Sequence, residues 1–244
     1  MSARDWDAGS YDRLPVPMTG WGAAVLGRLP LTGGERVLDA GCGTGKVTAA
    51  LLDRLPHGEV VALDGSPAMI EAARERLGED RVTYLVHDLR EPIPIEPVDA
   101  VSSTATFHWI TDHERLFANL AASMRPGAPL VAQCGGAGNL ARVVAATAAL
   151  GHDLLATKRY AGPEETTDLL RGAGFADVRC WLQDEPTPLP PDDLEEYLAT
   201  VILGAEITGM PADDAAAFVH GVASSLDEPV LDYVRLNIDA RRSS

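Results

Sequence analysis

Two hydrophobic patterns alternate along the first half of this chain. Short apolar runs at 36–39, 60–63, 82–86, 98–102 and 129–133 read as strands. Val60-Val61-Ala62-Leu63 shows no polar alternation, which suits a strand covered on both faces. Between the runs the apolar spacing turns helical. Val47, Leu51 and Leu55 share one face of 46–55. Pro67 opens a helix at its first turn that stops at Gly78, and 113–124 closes on Arg125-Pro126-Gly127. An amphipathic stretch, 21–29, precedes them all. Five strands separated by helices predict a parallel sheet with helices on both faces, an α/β doubly wound fold.

The second half is less regular. Helical spacing is read at 139–150, 164–172, 192–203 and 211–226, and strands at 178–182 and 230–238. Pro186, Pro188, Pro190 and Pro191 mark a stiff connector.

Composition narrows the partners. The formal net charge is -16, with no dense basic cluster, so a phosphate backbone would be repelled and nucleic acid is not an expected partner. No run of about 18 uncharged apolar residues is present, so no membrane span is expected. The first eleven residues lack the basic start and apolar core of a secretory signal, which leaves the cytoplasm as the default location. Cys42, Cys134 and Cys180 are an odd set without a Cys-x-x-Cys pair, so neither a disulfide framework nor a metal is expected. A monomer or weak dimer is the expected state.

The chemistry concentrates after the first strand, in Asp39-Ala40-Gly41-Cys42-Gly43-Thr44-Gly45. Glycines at the carboxyl end of a parallel strand let backbone approach a ligand. The dinucleotide pattern G-x-G-x-x-G begun at Gly41 would need glycine where Lys46 stands. The phosphate loop aligned on Gly45-Lys46 fails at Ala40 and Val47. Asp39 would also repel a pyrophosphate and favour a cation. Asp64 ends the second strand at the spacing from which a carboxylate takes vicinal ribose hydroxyls. Asp88 ends the third strand, where an adenine amino group is its expected partner and Leu89 would lie against the ring.

These segments, with Leu63-Asp64-Gly65-Ser66-Pro67-Ala68-Met69-Ile70 and His87-Asp88-Leu89, resemble the class I S-adenosylmethionine-dependent methyltransferases. Phe107-His108-Trp109-Ile110-Thr111-Asp112-His113, Met124-Arg125-Pro126-Gly127, Asp5-Trp6-Asp7 and Tyr11-Asp12 are similar to the trans-aconitate and, less closely, the malonyl-acyl-carrier-protein methyltransferase group. The resemblance implies a seven-stranded, mostly parallel, Rossmann-like sheet with its last strand antiparallel, in one domain spanning 1–244. It implies a cofactor-binding half at 31–135. A helical lid would come from an N-terminal segment, 1–30, and insertions at 136–160 and 190–228. S-adenosyl-L-methionine is the cofactor implied, with Asp39, Gly41, Cys42, Gly43, Asp64, Gly65, Met69, Asp88, Leu89 and Ser103 as the cofactor-binding positions.

The acceptor side is expected after the fourth strand. His108 is read as the catalytic candidate, either taking a proton or orienting the acceptor, with a packed histidine as the alternative. Trp109 and Tyr11 are the candidate substrate contacts. Lys158, Arg159 and Tyr160 read as a solvated face, with the pocket mouth as the alternative. From Cys180 through Val234 there is no Lys or Arg, while twelve carboxylates occur, from Asp184 to Asp232. A tricarboxylate under such a lid would need arginines from elsewhere, such as Arg13, Arg142 or Arg159. Val201, Ile202, Leu203, Ile207, Met210, Phe218 and Val219 offer apolar surface instead. The expected activity is methyl transfer to an oxygen, or less readily nitrogen or carbon, of a small and mostly apolar metabolite. Trans-aconitate-type ester formation and a non-catalytic S-adenosylmethionine sensor are the alternatives. A nicotinamide-dependent oxidoreductase is disfavoured by Lys46 and Asp39.

Overall fold

The computed structural model describes residues 17–244. Seven strands form one sheet: β1 (Arg36–Ala40), β2 (Glu59–Asp64), β3 (Val82–Val86), β4 (Ala100–Thr104), β5 (Pro129–Gly135), β6 (Phe175–Asp184) and β7 (Val234–Arg242). Their order is β3-β2-β1-β4-β5-β7-β6. The first five strands pair in parallel, and β7 runs antiparallel between β5 and β6. The order reverses between β1 and β4, which opens a crevice at their carboxyl ends.

Both faces of the sheet are covered, and adjacent residues show it. Val37 packs with Val25 of α1 (Met18–Arg28), with Leu29 just after that helix and with Leu51 of α2 (Lys46–Asp53). Its neighbour Leu38 joins the opposite cluster. That cluster holds Phe117 and Leu120 of α4 (His113–Ala122), and Leu170 of α6 (Pro163–Gly172). Between them in the chain, α3 (Pro67–Leu77) is capped by Ser66, whose hydroxyl accepts the Met69 N–H at 3.3 Å.

A separate apolar cluster lies beyond the sheet. It joins Trp21 of α1, Val143 of α5 (Ala141–Ala149) and Tyr233 to the segments that follow β6. Those segments are α7 (Leu194–Tyr197), a wider turn over Leu198–Ile202, α8 (Gly204–Ile207) and α9 (Ala212–Ser224). At its centre the buried hydroxyls of Tyr197 and Tyr233 lie 2.9 Å apart.

Three expected elements differ. The stretch 192–203 is not one α-helix. After α7 the Leu203 N–H donates to the Leu198 carbonyl at 2.7 Å, a five-residue step across the crowded Thr200-Val201-Ile202 run. The fourth strand begins at Ala100, because Val98 bridges to Met124 and the Asp99 carboxylate accepts the Arg36 N–H at 2.9 Å. The closing strand begins at Val234. Val230–Leu231 instead pairs with Thr187–Pro188, and the Asp232 carboxylate accepts the Arg142 N–H at 3.1 Å. Among the described residues no helix is long and apolar enough to cross a membrane.

The tyrosine pair ties the upper cluster to the start of β7. Tyr197→Phe strands a buried hydroxyl and should cost about 1–2 kcal/mol by chemical denaturation. Removing both hydroxyls in Tyr197→Phe/Tyr233→Phe should cost less than the two single changes added, since no orphan remains. Strict additivity would mean the hydroxyls act independently.

Candidate active site

The turn after β1 is clamped onto the end of β2. Gly41 and Cys42 both donate their N–H to the Leu63 carbonyl, at 2.8 and 2.9 Å. Gly41 takes φ +86°, and a Cβ there would lie 2.1 Å from Thr106 Oγ1. Gly43 takes φ +54° and has open space where a Cβ would point, on the wall of a cavity. Gly41 therefore requires glycine for contact, while at Gly43 glycine adopts the left-handed backbone without strain.

Asp64 completes the clamp. Its Oδ2 accepts the Gly43 N–H at 3.0 Å and its Oδ1 the Ser66 N–H at 2.9 Å. Burial raises its pKa against these bonds. The Gly65 N–H is a third backbone donor to this carboxylate, which keeps acceptor capacity for a ligand. Asp88 is held by Arg90, whose N–H and Nε–H donate to its Oδ1 at 2.9 and 3.0 Å. That contact lowers its pKa, so Asp88 is an ionised acceptor at the cavity edge.

The cavity encloses about 770 Å³ and runs from this loop to the underside of the upper cluster. That volume is within the range of small-molecule sites. It gathers Gly41, Gly43, Asp64, Gly65, Met69, Asp88 and Leu89 at one end. His108 and Trp109 stand at the other. Asp39, Cys42 and Ser103 are not in its lining. Asp39 is buried behind the loop, accepting a bond from Thr48 Oγ1 at 2.7 Å. Cys42 packs its side chain with Ala62, Ile70 and Ala73, and burial raises its thiol pKa. Ser103 is buried and donates to the Ala40 carbonyl at 2.6 Å. Tyr11 lies outside the described residues.

Local backbone delivers the second end. Ala105 takes φ +58° after β4 and donates its N–H to the Gln133 carbonyl at 2.7 Å. Phe107 then anchors in the core edge-on to Phe117, with ring centroids 6.0 Å apart. His108 and Trp109 are left on the cavity side. His108 Nδ1 accepts the Gly135 N–H at 3.3 Å, so the neutral ring carries its proton on Nε2. Burial drives its pKa well below the ordinary value, and the charges of Arg235 and Lys158 add to this.

Lys158 and Tyr160 are not on a solvated face. Lys158 is buried, 2.7 Å from Glu206 of α8 and over the Trp109 ring. Tyr160 lines the cavity, and burial pushes its phenol up to about 12. Arg159 alone of the three turns outward, to Glu165 and to the Thr111 carbonyl at 2.7 Å. Of the apolar residues expected to face a substrate, Val201 and Ile202 line the cavity. Leu203, Phe218 and Val219 form the interior of the upper cluster. Arg142 points to Asp232 and the Val230 carbonyl. Trp21, Asn139 and Arg235 also line the cavity, and sequence reading missed all three. The signal was slight: Arg235 is the first cation after Arg179, on the polar side of an alternating strand.

Residues 37–127 match a family model described as a methyltransferase domain. The trans-aconitate 2-methyltransferase of Methylobacterium radiotolerans is 35% identical over 190 residues, covering 72% of this chain and 71% of that enzyme. The trans-aconitate 2-methyltransferase of Azoarcus sp. is 36% identical over 128 residues, covering 52% of this chain and 50% of the enzyme, so there the chain spans half its relative. Phosphoethanolamine N-methyltransferase 2 of Haemonchus contortus, solved with phosphomonomethylethanolamine and S-adenosylhomocysteine, superimposes with a TM-score of 0.64. It is 23% identical over 92% of this chain and 52% of that one, a likeness of fold.

Asp39 gives the loop a measurable electrostatic signature. Burial pushes its pKa up to about 6, above the unfolded value of about 3.9. The folded protein therefore holds an extra proton between those values, and stability is lost as pH rises through that window. Asp39→Asn escapes this cost. By denaturant titration it should match the parent near pH 4 and exceed it by up to about 3 kcal/mol at pH 7.5. A stability difference that does not vary with pH would show that Asp39 is not ionised at this cost.

Proposed function

The chain belongs to the S-adenosylmethionine-dependent methyltransferases, and on that premise we propose that it methylates an oxygen of a small, mostly apolar molecule held beneath a helical lid. The carrying observation is one continuous cavity joining the glycine loop to Val201, Ile202 and Trp109. The lid in this reading comprises 136–160, 190–228 and the N-terminal segment 1–30, of which 17–30 is described.

The cofactor is S-adenosylmethionine, and when bound it supplies a sulfonium methyl with a good leaving group already attached. The open wall at Gly43 and the free lone pairs of Asp64 fit it. Asp64 would take the ribose hydroxyls, Gly41 and Gly43 would meet the ligand with backbone, and Asp88 with Leu89 would border the base. Asp39, negative behind the loop, favours the cationic methionine end.

At the acceptor end, His108 presents a neutral Nε2–H. It orients the acceptor oxygen by donation and does not remove its proton. Tyr160 likewise stays protonated, so its hydroxyl can donate to the acceptor and is no base. These groups suit an oxygen that is already ionised, and the barrier is lowered by alignment and exclusion of water. The relatives' names point to a tricarboxylate. Among the described residues lining the cavity, Arg90 and Lys158 are already paired with Asp88 and Glu206, so three carboxylates would be under-compensated.

Initial rates with a panel of phenols and carboxylic acids, read as S-adenosylhomocysteine release, test this. His108→Ala should lower kcat about tenfold or more with the cofactor Kd unchanged. The depressed His108 pKa keeps the ring neutral on acidification, so the parent rate should show no histidine titration from pH 8.5 to 6. A rate that falls through pH 6.5 would make His108 a base. Cofactor binding without transfer to any oxygen acceptor would overturn the reading in favour of a sensor.

A further inference from the structure

Arg235 stands on β7 opposite Gly135 of β5, with its side chain buried at 1% exposure and on the cavity wall. Its guanidinium carbon lies 3.9 Å from the Trp21 ring centroid and 5.7 Å from that of Tyr233. Those faces hold the plate in place without neutralising it. Nε donates one long bond, 3.4 Å, to Gln133 Oε1. Nη2 is buried and has no hydrogen-bond partner. Among the described residues no carboxylate pairs with it. The acidic groups that act on its charge are Cys134, Tyr233, Tyr160 and Tyr197, and burial keeps every one of them neutral.

A guanidinium stays protonated even when buried, so this is an uncompensated positive charge held almost out of contact with bulk solvent. Its buried neighbour on the same face of the strand, Asn237, carries no charge to offset it. The planar donor fork of Arg235 matches a carboxylate. We propose that Arg235 is the receptor for a single carboxylate of the acceptor, which makes the substrate class a monocarboxylate with an apolar body. One cation balances one anion; a phosphate monoester or a tricarboxylate would bring charge that the wall does not meet. Val201, Ile202 and Trp109 take the apolar body. His108 Nε2–H and the Tyr160 hydroxyl are further donors at the same end. This inference rests on the acceptor site proposed above and adds the charge of its occupant.

The test is calorimetric, with saturating S-adenosylhomocysteine and four probes: cinnamate, octanoate and the primary amide of each. Trans-aconitate and inorganic phosphate complete the set. At least one acid should bind tenfold or more tightly than its own amide, and more tightly than trans-aconitate or phosphate. Arg235→Gln should erase the preference for acid over amide, and Arg235→Lys should keep part of it. Because the variant loses an unpaired buried charge, its melting temperature should hold or rise. The acid-to-amide ratio in the parent stands by itself if a variant does not fold. Amides binding as well as acids, no binding of either acid, tighter binding of phosphate, or an acid preference surviving in a folded Arg235→Gln would each overturn the proposal. Acid preference without turnover on any acceptor would keep this anion site and refute the methyl-transfer reading. Turnover on neutral phenols without acid preference would do the reverse.

Discussion

The carbonyl of Leu63 and the carboxylate of Asp64 receive the backbone N–H groups of Gly41, Cys42 and Gly43, and the rest of the site is built from that junction. Three backbone N–H groups hold the turn after β1 against the end of β2, and a fourth, from Ser66, fixes Asp64 within its own turn. The left-handed glycines follow from it, because only a sharp reversal brings those N–H groups round to β2. So does the burial of Asp39 directly behind. The two carboxylates then repel each other, and Asp64 contributes to the raised pKa of Asp39. The ligand site is thus a place where stability is given up for negative potential at a fixed position.

A second buried charge of the opposite sign lies at the far end of the cavity. The lysine–glutamate pair between Lys158 and Glu206 links the segment before α6 to α8, and it is nearly sealed from solvent. Removing one partner of such a pair leaves a buried charge unpaired, so it constrains how the upper cluster sits on the cavity. Arg235 has no such partner. The fold thus satisfies one buried cation and leaves the other open.

The legible parts of this molecule were those where chemistry is local in sequence. The run at 60–63 announced a buried parallel strand because β1 and β3 flank it, whereas 82–86 is the edge strand of the sheet and is half exposed. Gly41, Gly43 and Asp64 were legible because a strand-end glycine turn and a strand-end carboxylate are each one short segment. Lys158 was misread because its partner, Glu206, lies 48 residues on, and a lone lysine in sequence looks solvated. Arg235 was invisible for a related reason. Its burial comes from the insertion of β7 between β5 and β6, a pairing that no local pattern encodes. The break in 192–203 came from crowding of β-branched side chains under the upper cluster, where tertiary contact overrode helical spacing.

Asp64 and the clamped glycine turn are the proposed cofactor site. Calorimetric titration of S-adenosylhomocysteine into the parent and Asp64→Ala, with circular dichroism to verify the fold, tests it most directly. Loss of two charge-assisted bonds, each worth about 1.5–3 kcal/mol at most, predicts affinity weakened at least about tenfold with the fold retained. An unchanged dissociation constant in a folded Asp64→Ala protein would contradict the account.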